Sequence, residues 1–409
     1  MPIVGLNLSS NPRILVPWMT AVDANVRAAH AERFGSEGKT YSAPARVNLI
    51  GEHTDYTGGL VMPMAIGFRT IAAISPRSDG KAVFYSANYG ETRQFEISSL
   101  GKDPQGHWSD YPAGVVWSLK QADILPGGFN MSLEGDVPLG AGLSSSASVE
   151  VAVAIAVLSQ LGITLPLEEL ASLCRRAENE YVGAKSGIMD QFIVAGGVEH
   201  RAMMLDCRSL SFELLPLPSR VRVVIANSMV KHSVATGDYG NRRDEVEAGQ
   251  EVLRRERPGI KLLRDATVED LEASREKMSA ESFARCRHII TENTRVLSAR
   301  ESLLADDMKR FGELMIAAHA SMRDDFAASC AEVDTLVEIA NRQPGCFGAR
   351  ITGGGFGGCT VNVVKTELVD AFVEQVKLEY ERAVGIKADC FVSSPSDGAL
   401  ALAAKGGAA

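Results

Sequence analysis

The fold is decided at Gly135-Asp136-Val137-Pro138-Leu139-Gly140-Ala141-Gly142-Leu143-Ser144-Ser145-Ser146-Ala147-Ser148. Before this stretch, Phe129, Met131 and Leu133 alternate with polar residues, which is the pattern of a half-buried strand that ends in glycine. After it, apolar residues recur at helical spacing, and Gly162 then favours a stop. The sequence therefore predicts the order strand, glycine-rich loop, helix.

The loop has the features of a phosphate-binding site. The first N–H groups of a helix lack partners and mark its positive end, so a phosphate is favoured there. Gly140 and Gly142 allow close approach of ligand oxygens and positive φ, and Ser144, Ser145 and Ser146 supply capping hydroxyl groups. The loop lacks the lysine of a Walker A loop and does not complete G-x-G-x-x-G. Taken alone, it could also be a serine-capped helix after a turn.

Composition narrows the classes of function. The 409 residues favour two domains, and 45% hydrophobic with 23% charged residues is typical of a soluble globular protein. A net charge of −9 argues against nucleic acid or an anionic membrane as the main partner. The seven cysteines form no C-x-x-C pair and are interpreted as reduced core residues. No signal peptide or membrane span is apparent, so we expect a cytoplasmic protein.

A second polar cluster lies near the N-terminus, where an apolar run between residues 42 and 51 leads into a turn. This turn contains Glu52, His53 and Asp55. Burying such groups without partners is costly. They could satisfy each other and solvent in a surface loop. Alternatively, they present hydrogen-bonding groups to a polyol, a kind of site that discriminates sharply between hydroxyl patterns.

Three motifs resemble those of one enzyme family. Residues Arg46–Tyr56 resemble the signature of galactokinases. Residues Pro138–Ala147 are similar to the ATP-binding motif of the sugar, homoserine, mevalonate and phosphomevalonate kinase superfamily, and Gly353–Gly358 resembles its third motif. The resemblance covers roughly residues 40–395, with further matches at Asn227–His232, Tyr239, Arg242-Arg243 and Ser321–Phe326. Two positions depart from the family: Ala45, usually Gly, and Ser186, often Cys.

The resemblance implies a mixed α+β fold, namely the two-domain small-molecule kinase fold. We expect an N-terminal domain over residues 1–205, with a ribosomal-S5-like βαβ part that carries the phosphate loop and the sugar signature. A ferredoxin-like C-terminal domain over residues 206–409 carries the third motif. The active site is expected between them.

The implied activity is ATP-dependent phosphorylation of galactose at O1, with ATP and Mg²⁺ as cofactors. The alternatives are a kinase for N-acetylgalactosamine or arabinose, and a non-catalytic galactose and ATP sensor. Such sensors lack the Ser-Ala pair that is intact here as Ser146-Ala147. The expected partners are a small sugar and ATP, without nucleic acid or membrane, and the expected state is a monomer or weak dimer.

The resemblance also implies roles for individual residues. Asp190 and Arg46 match the catalytic pair; Glu52, His53, Asp55 and Tyr239 match the sugar site; Gly140, Gly142, Ser144, Ser145 and Ser146 match the phosphate site; and Ser146 with Glu178 matches the magnesium site. Read alone, Glu178 is a solvated helix carboxylate and Asp190 a helix cap. Asp190 could be a general base, or it could only orient the hydroxyl if Arg46 beside it makes it a weaker base. Trp108 matches a position near the adenine, or it is a core aromatic.

Hydrophobic periodicity predicts the remaining elements. The predicted elements are a helix over 17–35, a small antiparallel sheet from Thr70–Ile74, Val83–Ser86 and Phe95–Ile97, a helix over Leu167–Val182, helical segments with solvated charges over 240–256, 280–304 and 307–342, a hairpin around Gly353–Gly358, a helix over Val369–Val384, a strand over Ala388–Val392 and a frayed tail from Ala403. The glycines of the hairpin exceed what a turn requires and are interpreted as the place where a ligand approaches.

Overall fold

The structure is a computed structural model that describes residues 19–138, 141–231 and 235–406, with the backbone alone at 19–21, 231, 235–239 and 406. Within these ranges, the helices are α1 Met19–Phe34, α2 Asp110–Gln121, α3 Ser145–Gln160, α4 Leu167–Arg176, α5 Met189–Gly196, α6 Ala235–Glu256, α7 Val268–Ala273, α8 Ala280–Leu304, α9 Met308–Asp324, α10 Ala331–Arg342, α11 Val369–Val384 and α12 Ala399–Gly406. The strands are β1 Lys39–Asn48, β2 Leu60–Val61, β3 Pro63–Arg77, β4 Lys81–Ser86, β5 Glu91–Glu96, β6 Gly128–Gly135, β7 Arg201–Asp206, β8 Phe212–Pro216, β9 Val221–Lys231, β10 Cys346–Ile351, β11 Gly357–Lys365 and β12 Asp389–Ser393.

The first sheet has five strands in the order β1-β3-β6-β4-β5. The three predicted strands between residues 68 and 97 exist, but their arrangement as one antiparallel sheet is wrong. β6 lies between β3 and β4, and it runs parallel to β4. The chain reaches this position because it passes through α2 after the β4–β5 hairpin, the kind of crossover that a parallel pair requires.

Both faces of β6 are buried, although its alternating sequence predicts a half-buried strand. Its apolar side chains pack in a core cluster with α2 and α3. On its polar face, Ser132 lies next to α1, where the His30 ring forms hydrogen bonds with the hydroxyl of Ser132 at 3.0 Å and with that of Ser75 on β3 at 2.8 Å. The alternation therefore separates an apolar core face from a polar face that another helix covers.

The second sheet has four antiparallel strands in the order β10-β11-β9-β12, and a third sheet joins β2, β7 and β8. A core cluster combines β1 and β3 of the first sheet with β9 and β11 of the second. β7 ends at Asp206 and pairs with β8. The domain boundary between residues 205 and 206 stays a prediction.

Several helices differ in extent from the sequence prediction. The helix expected over Leu167–Val182 is α-helical only to Arg176 and continues as a π-helical turn over Ala177–Val182. The segment 307–342 forms two helices, because Asp324 ends α9 before α10 begins at Ala331. The predicted helix over Val369–Val384 is confirmed as α11.

The chain near the C-terminus is ordered further than predicted. Residues Ala403–Gly406 belong to α12, so the prediction of a frayed tail is wrong for them, and residues 407–409 lie outside the described ranges. α12 packs against β1, α3 and α5, and this packing holds the segment. Among the described residues, no helix is long and apolar enough to cross a membrane.

Candidate active site

An arginine–carboxylate pair lies at the centre of the candidate site. Arg46 on β1 donates from Nε to Asp190 Oδ1 and from Nη2 to Oδ2, each at 2.7 Å. Such a two-pronged pair is a strong and geometrically specific contact. Burial alone would lower the pKa of Arg46, but the adjacent Asp190 carboxylate raises it. A β-bulge between Pro44 and Ala45 directly precedes Arg46, and bulges of this kind re-aim the following side chain.

The same pair contacts the glycine-rich loop. Arg46 Nη1 donates to Gly142 O at 2.5 Å, and the Ser144 hydroxyl donates to Asp190 Oδ2. Gly142 has the predicted positive φ of 76°. Ser144 precedes α3 with φ of 56° and forms no side-chain cap, so the expected hydroxyl cap is wrong at this position. Its hydroxyl is instead bonded to Asp190. Gly140 lies outside the described residues.

A cavity of about 240 Å³ adjoins the start of α3. Its lining includes Asn88, Tyr89, Trp108, Tyr111, Ser145 and Ser146. The rings of Tyr89 and Trp108 stack at 5.9 Å with 7° between their planes. Trp108 packs against a core cluster and also lines the cavity, and its position near the adenine stays a prediction. The cavity therefore combines aromatic faces with the hydroxyl groups at the helix start.

Glu178 lies in the π-helical turn. Its side chain is buried rather than solvated, because the Ser186 hydroxyl donates to Oε2 at 2.6 Å and the Gln191 amide donates to Oε2 at 2.8 Å. Gln191 also donates to Glu150 Oε2 at 3.0 Å. Burial, with the nearby Glu178 carboxylate, raises the pKa of Glu150 well above its usual range. π-helical turns of this kind are frequent at functional sites.

The donor set fits a magnesium ion held mainly by phosphates. Ser146 and Glu150 are four residues apart on α3 and so share one helix face, and Gln191 links Glu150 to Glu178. One hydroxyl and one carboxylate are the few oxygen ligands that magnesium takes from protein. The described residues contain no group of three or more His, Cys, Asp or Glu side chains that could hold a metal.

Glu52 is buried in the signature turn and is tied to the third motif. Its Oε1 accepts from Gly353 N at 3.0 Å and from the Thr352 hydroxyl at 3.2 Å, and it lies 3.5 Å from Arg350 Nη1. Burial raises the pKa of Glu52, while the charges of Arg350 and Arg46 oppose that rise. Glu52 Oε1 therefore links the signature turn to the third motif.

His53 follows in the left-handed region with φ of 61°. Its ring stacks on Phe326 at 4.1 Å, and Tyr56 Oη lies 3.2 Å from Nδ1. Burial, followed by the influence of the nearby His288 ring, lowers the pKa of His53 to about 3. The imidazole is therefore neutral at physiological pH, and it is held in place by an aromatic from the Ser321–Phe326 segment.

Asp55 lies against the backbone of the loop before α5. A Cβ added at Gly187 would lie 1.9 Å from Asp55 Oδ2, so a larger residue there would displace the Asp55 side chain. Burial raises the pKa of Asp55 to about 6, and the nearby Asp190 carboxylate contributes to the rise. The charges of Asp55 and Asp190 therefore influence each other. The absence of a side chain at Gly187 leaves room for the Asp55 carboxylate.

The C-terminal half supports the signature turn through α8. The His288 ring contacts Glu52 O at 3.1 Å, Glu292 Oε1 accepts from Gly51 N at 2.8 Å, and Asn293 Oδ1 accepts from Leu60 N at 2.8 Å. The prediction that the charges of residues 280–304 are solvated is wrong for this face. His288 and Glu292 are four residues apart on one face, which is the only sequence signal that could have indicated a shared task.

The hairpin glycines approach protein backbone rather than an empty ligand site. A Cβ at Gly353 would lie 3.0 Å from Gly142 O, and one at Gly358 would lie 3.4 Å from Ala141 O. A Cβ at Gly355 would lie 2.2 Å from Ala328 O. The interpretation that a ligand explains all the extra glycines is therefore wrong. The third motif packs against the glycine-rich loop.

The structure thus brings together most of the predicted site residues. Arg46, Asp190, Gly142 and Ser144 are in direct contact, Asp55 lies next to them, and Ser145 and Ser146 open onto the cavity. Tyr239 lies on α6 where only the backbone is described, so its side chain is outside the described part of the chain. Sequence reasoning gave no role to Glu150, Gln191, Gly187 or the buried face of α8.

Comparisons with known proteins define the class. Family models described as GHMP kinases N terminal domain and GHMP kinases C terminal match residues 110–197 and 299–382. The crystal structure of Methanococcus jannaschii mevalonate kinase superposes with a TM-score of 0.63 at 18% identity, covering 88% of this chain and 99% of that one. At this identity the likeness shows the fold alone, which is the two-domain fold of the GHMP kinases. The predicted fold class is confirmed.

More specific matches follow within that class. The model described as Galactokinase galactose-binding signature matches residues 28–76. Galactokinases of Chloroflexus aggregans and Fusobacterium nucleatum are 41% and 38% identical, covering 88% and 90% of this chain and 93% and 96% of their own lengths. Lactococcus lactis galactokinase complexed with galactose superposes with a TM-score of 0.88 at 34% identity, covering 92% of this chain and 99% of that one. The chain belongs to the galactokinase family.

Proposed function

We propose that the chain transfers the γ-phosphoryl group of ATP to O1 of galactose, with Arg46 and Asp190 at the reacting centre. The observation that supports this proposal most strongly is the contact of this pair with both Gly142 and Ser144 of the glycine-rich loop. It joins the proposed sugar site, through β1, to the proposed phosphate site. Family membership makes the chain a phosphotransferase that acts on a sugar alcohol group.

The residues of the site suit phosphoryl transfer. The loose transition state of this reaction needs positioning and charge neutralisation more than covalent chemistry. The glycine-rich loop and the start of α3 would hold the phosphates, and the Arg46 guanidinium would neutralise charge at the transferred group. A magnesium ion held by Ser146 and Glu178 would supply further charge neutralisation between the phosphates. Glu52, His53, Asp55 and Tyr239 would bind the hydroxyl groups of the sugar.

Asp190 would act mainly on the acceptor hydroxyl. Two hydrogen bonds from Arg46 and one from Ser144 fix the carboxylate in one orientation. The contacts hold the carboxylate in one place, so they favour a role in orienting the acceptor hydroxyl. The proton of the acceptor hydroxyl would still pass to Asp190 if it left late, after the bond between the sugar oxygen and phosphorus had begun to form.

An assay of ADP release against a panel of sugars tests the proposed function. We expect turnover with galactose and much weaker turnover with N-acetylgalactosamine and arabinose. Higher kcat/KM for another sugar would overturn the choice of galactose. ATP-dependent sugar binding without ADP release would instead establish the sensor alternative.

Sugar binding should weaken as pH falls through about 6, the value to which the pKa of Asp55 is raised. A protonated carboxyl group loses its charge-assisted bonds to sugar hydroxyls. The groups whose charges bear on Asp55 are Asp190, Glu52 and Arg46. Calorimetry with galactose between pH 5 and 8 measures the effect, and an Asp55→Asn variant should bind weakly without this pH dependence.

Protonation of Asp55 would not weaken galactose binding by unfolding the protein. The folded chain takes up a proton at Asp55 near pH 6, whereas the unfolded chain does so near the ordinary value of 3.8. Protonation of Asp55 therefore stabilises the folded chain: its contribution to the free energy of unfolding rises as pH falls from about 6 towards 3.8. Galactose affinity that stays constant down to pH 5 would contradict the role of Asp55.

A Gly142→Val variant should bind nucleotide at least about tenfold more weakly, equivalent to 1.4 kcal/mol. Valine is strained at φ of 76°, and its Cβ would lie 3.5 Å from Thr352 O, between the loop and the third motif. The matched control is Gly162→Val, with φ of 71° and nothing within 4 Å of an added Cβ. Calorimetry with ADP on both folded variants measures the difference. Equal affinities would contradict the loop assignment.

Other features of the proposal concern the cellular setting. The cytoplasm is the proposed location, supported by seven cysteines that are all described and all free. The proposed partners are the sugar and ATP alone, without nucleic acid or membrane, in keeping with the net charge of −9. A monomer or weak dimer is proposed as the working state.

A further inference from the structure

The two oxygens of the Glu178 carboxylate have different surroundings. Oε2 accepts from the Ser186 hydroxyl at 2.6 Å and from the Gln191 amide at 2.8 Å. Within the described part of the chain, no hydrogen-bond donor reaches Oε1. An oxygen that already accepts two hydrogen bonds has little capacity left, so Oε1 is the oxygen available to another partner.

We infer that Ser186 and Gln191 are positioning residues that hold the Glu178 carboxylate through Oε2, so that Oε1 is the oxygen that would bind a magnesium ion. The inference rests on the proposed function, in which Glu178 is a magnesium ligand. Ligating carboxylates are oriented by hydrogen bonds from the groups behind them. Magnesium demands near-ideal octahedral geometry, so a carboxylate that rotates freely would bind it less well.

Gln191 is fixed from both sides. It is fully buried, and its Nε2 donates to Glu150 Oε2 at 3.0 Å as well as to Glu178 Oε2. The amide nitrogen lies within hydrogen-bond distance of both carboxyl groups, so the amide is held between them. Gln191 directly follows Asp190 on α5. One helix therefore carries the proposed catalytic carboxylate and the amide that orients the proposed metal ligand.

Ser186 is fixed by Asn179 of the π-helical turn. Asn179 Nδ2 donates to Ser186 O at 2.9 Å, and Asn179 Oδ1 accepts from Ser186 N at 3.0 Å. The Ser186 hydroxyl reaches Asn179 Oδ1 at 2.8 Å as well as Glu178 Oε2. These contacts clamp the π-helical turn to the segment before α5, so the hydroxyl has a defined position beside Glu178.

The identity of residue 186 gives the inference a graded test. A thiol is a weaker hydrogen-bond donor than the hydroxyl of Ser186. Ser186→Cys should therefore hold Oε2 less firmly than serine does, and Ser186→Ala should not hold it at all. The order of metal affinity should be serine, then cysteine, then alanine.

The experiment titrates Mn²⁺ into the full chain in the presence of ADP, with free Mn²⁺ followed by electron paramagnetic resonance. Ser186→Ala and Gln191→Met are each expected to weaken metal binding by about 10- to 100-fold. Calorimetry with galactose should give unchanged affinity for Ser186→Ala. The matched control is Ser302→Ala, whose buried hydroxyl bonds only to Ser298 O of its own helix. Thermal melts show whether each variant is folded.

The outcomes separate this inference from the proposed function. Weaker Mn²⁺ binding in Ser186→Ala, with Ser302→Ala unchanged, supports the positioning role. Unchanged Mn²⁺ binding in Ser186→Ala, while Glu178→Gln binds weakly, overturns the positioning role and leaves the metal assignment standing. Unchanged binding in Glu178→Gln itself overturns the metal assignment. Because Ser186→Ala removes only one hydroxyl, it provides the test even if Gln191→Met fails to fold.

Discussion

An Asp190→Asn variant should lose about 10²- to 10⁴-fold in kcat, the range that a positioned acid or base contributes. Asparagine keeps the size of the side chain and one oxygen that can accept from Arg46. It cannot accept the proton of the sugar hydroxyl, and its nitrogen would face the donors of Arg46 and Ser144. Single-turnover kinetics measure the loss, and calorimetry should show binding of galactose and ATP close to that of the parent.

Thermal melts separate a catalytic role from a structural one. Asp190 lies inside α5, whose N-cap position is Ile188 without a side-chain cap, so the interpretation of Asp190 as a helix cap is wrong. If its role were structural in another way, the change would lower stability, and activity would return at temperatures where the variant is folded. Asp79→Asn is the matched control, because Asp79 forms its ion pair with Arg77 at an exposed site. A folded Asp190→Asn variant with kcat within tenfold of the parent would remove Asp190 from the proposed mechanism.

Local signals predicted the core of the nucleotide-binding region. Alternation before Gly135, two glycines and a helical repeat after Ser148 gave strand, loop and helix, which are β6, the Gly142 loop and α3. These signals depend on neighbours in the sequence, so they survive folding. The position of β6 between β3 and β4 depends on the path through α2, which no local pattern contains.

Contacts between distant segments were beyond the sequence pattern. Glu52 bonds to Thr352 across 300 residues, and Glu292 bonds to Gly51 across 241. A helix with regularly spaced charged residues has the same pattern whether those charges face water or a partner loop. The sequence pattern therefore predicted that the charged residues of α8 face solvent. In the structure, His288, Glu292 and Asn293 instead hold the signature turn.

Glycines raised the same difficulty in another form. Gly187 and Gly353 both lie close to other parts of the chain, but the sequence does not say which parts. At Gly187 it is the Asp55 carboxylate, and at Gly353 it is the backbone of the glycine-rich loop. The run of glycines indicated a crowded place correctly, and only the three-dimensional arrangement identified its neighbours.

Replacement of Arg46 by methionine should reduce both turnover and stability. Loss of one preorganised donor at the reacting group typically costs about 10²- to 10³-fold in kcat. Methionine also leaves the Asp190 carboxylate without its charge partner, and breaking a buried pair costs about 3–5 kcal/mol. The Asp190 side chain is 21% exposed, so we expect about 3 kcal/mol, the lower end of that range. Denaturant unfolding and single-turnover kinetics measure the two effects.

The double variant Arg46→Met with Asp190→Asn distinguishes the two roles of the pair. When both charges of the pair are removed, no Asp190 carboxylate remains without its guanidinium partner. The double variant should therefore unfold at a higher denaturant concentration than Arg46→Met alone. Its kcat should not recover, because neither the cation nor the carboxylate is present at the reacting centre. The losses in stability should therefore be less than additive, as is usual for residues in direct contact. Fully additive stability losses would show that the pair is not coupled, and recovery of turnover in the double variant would assign both residues to folding alone.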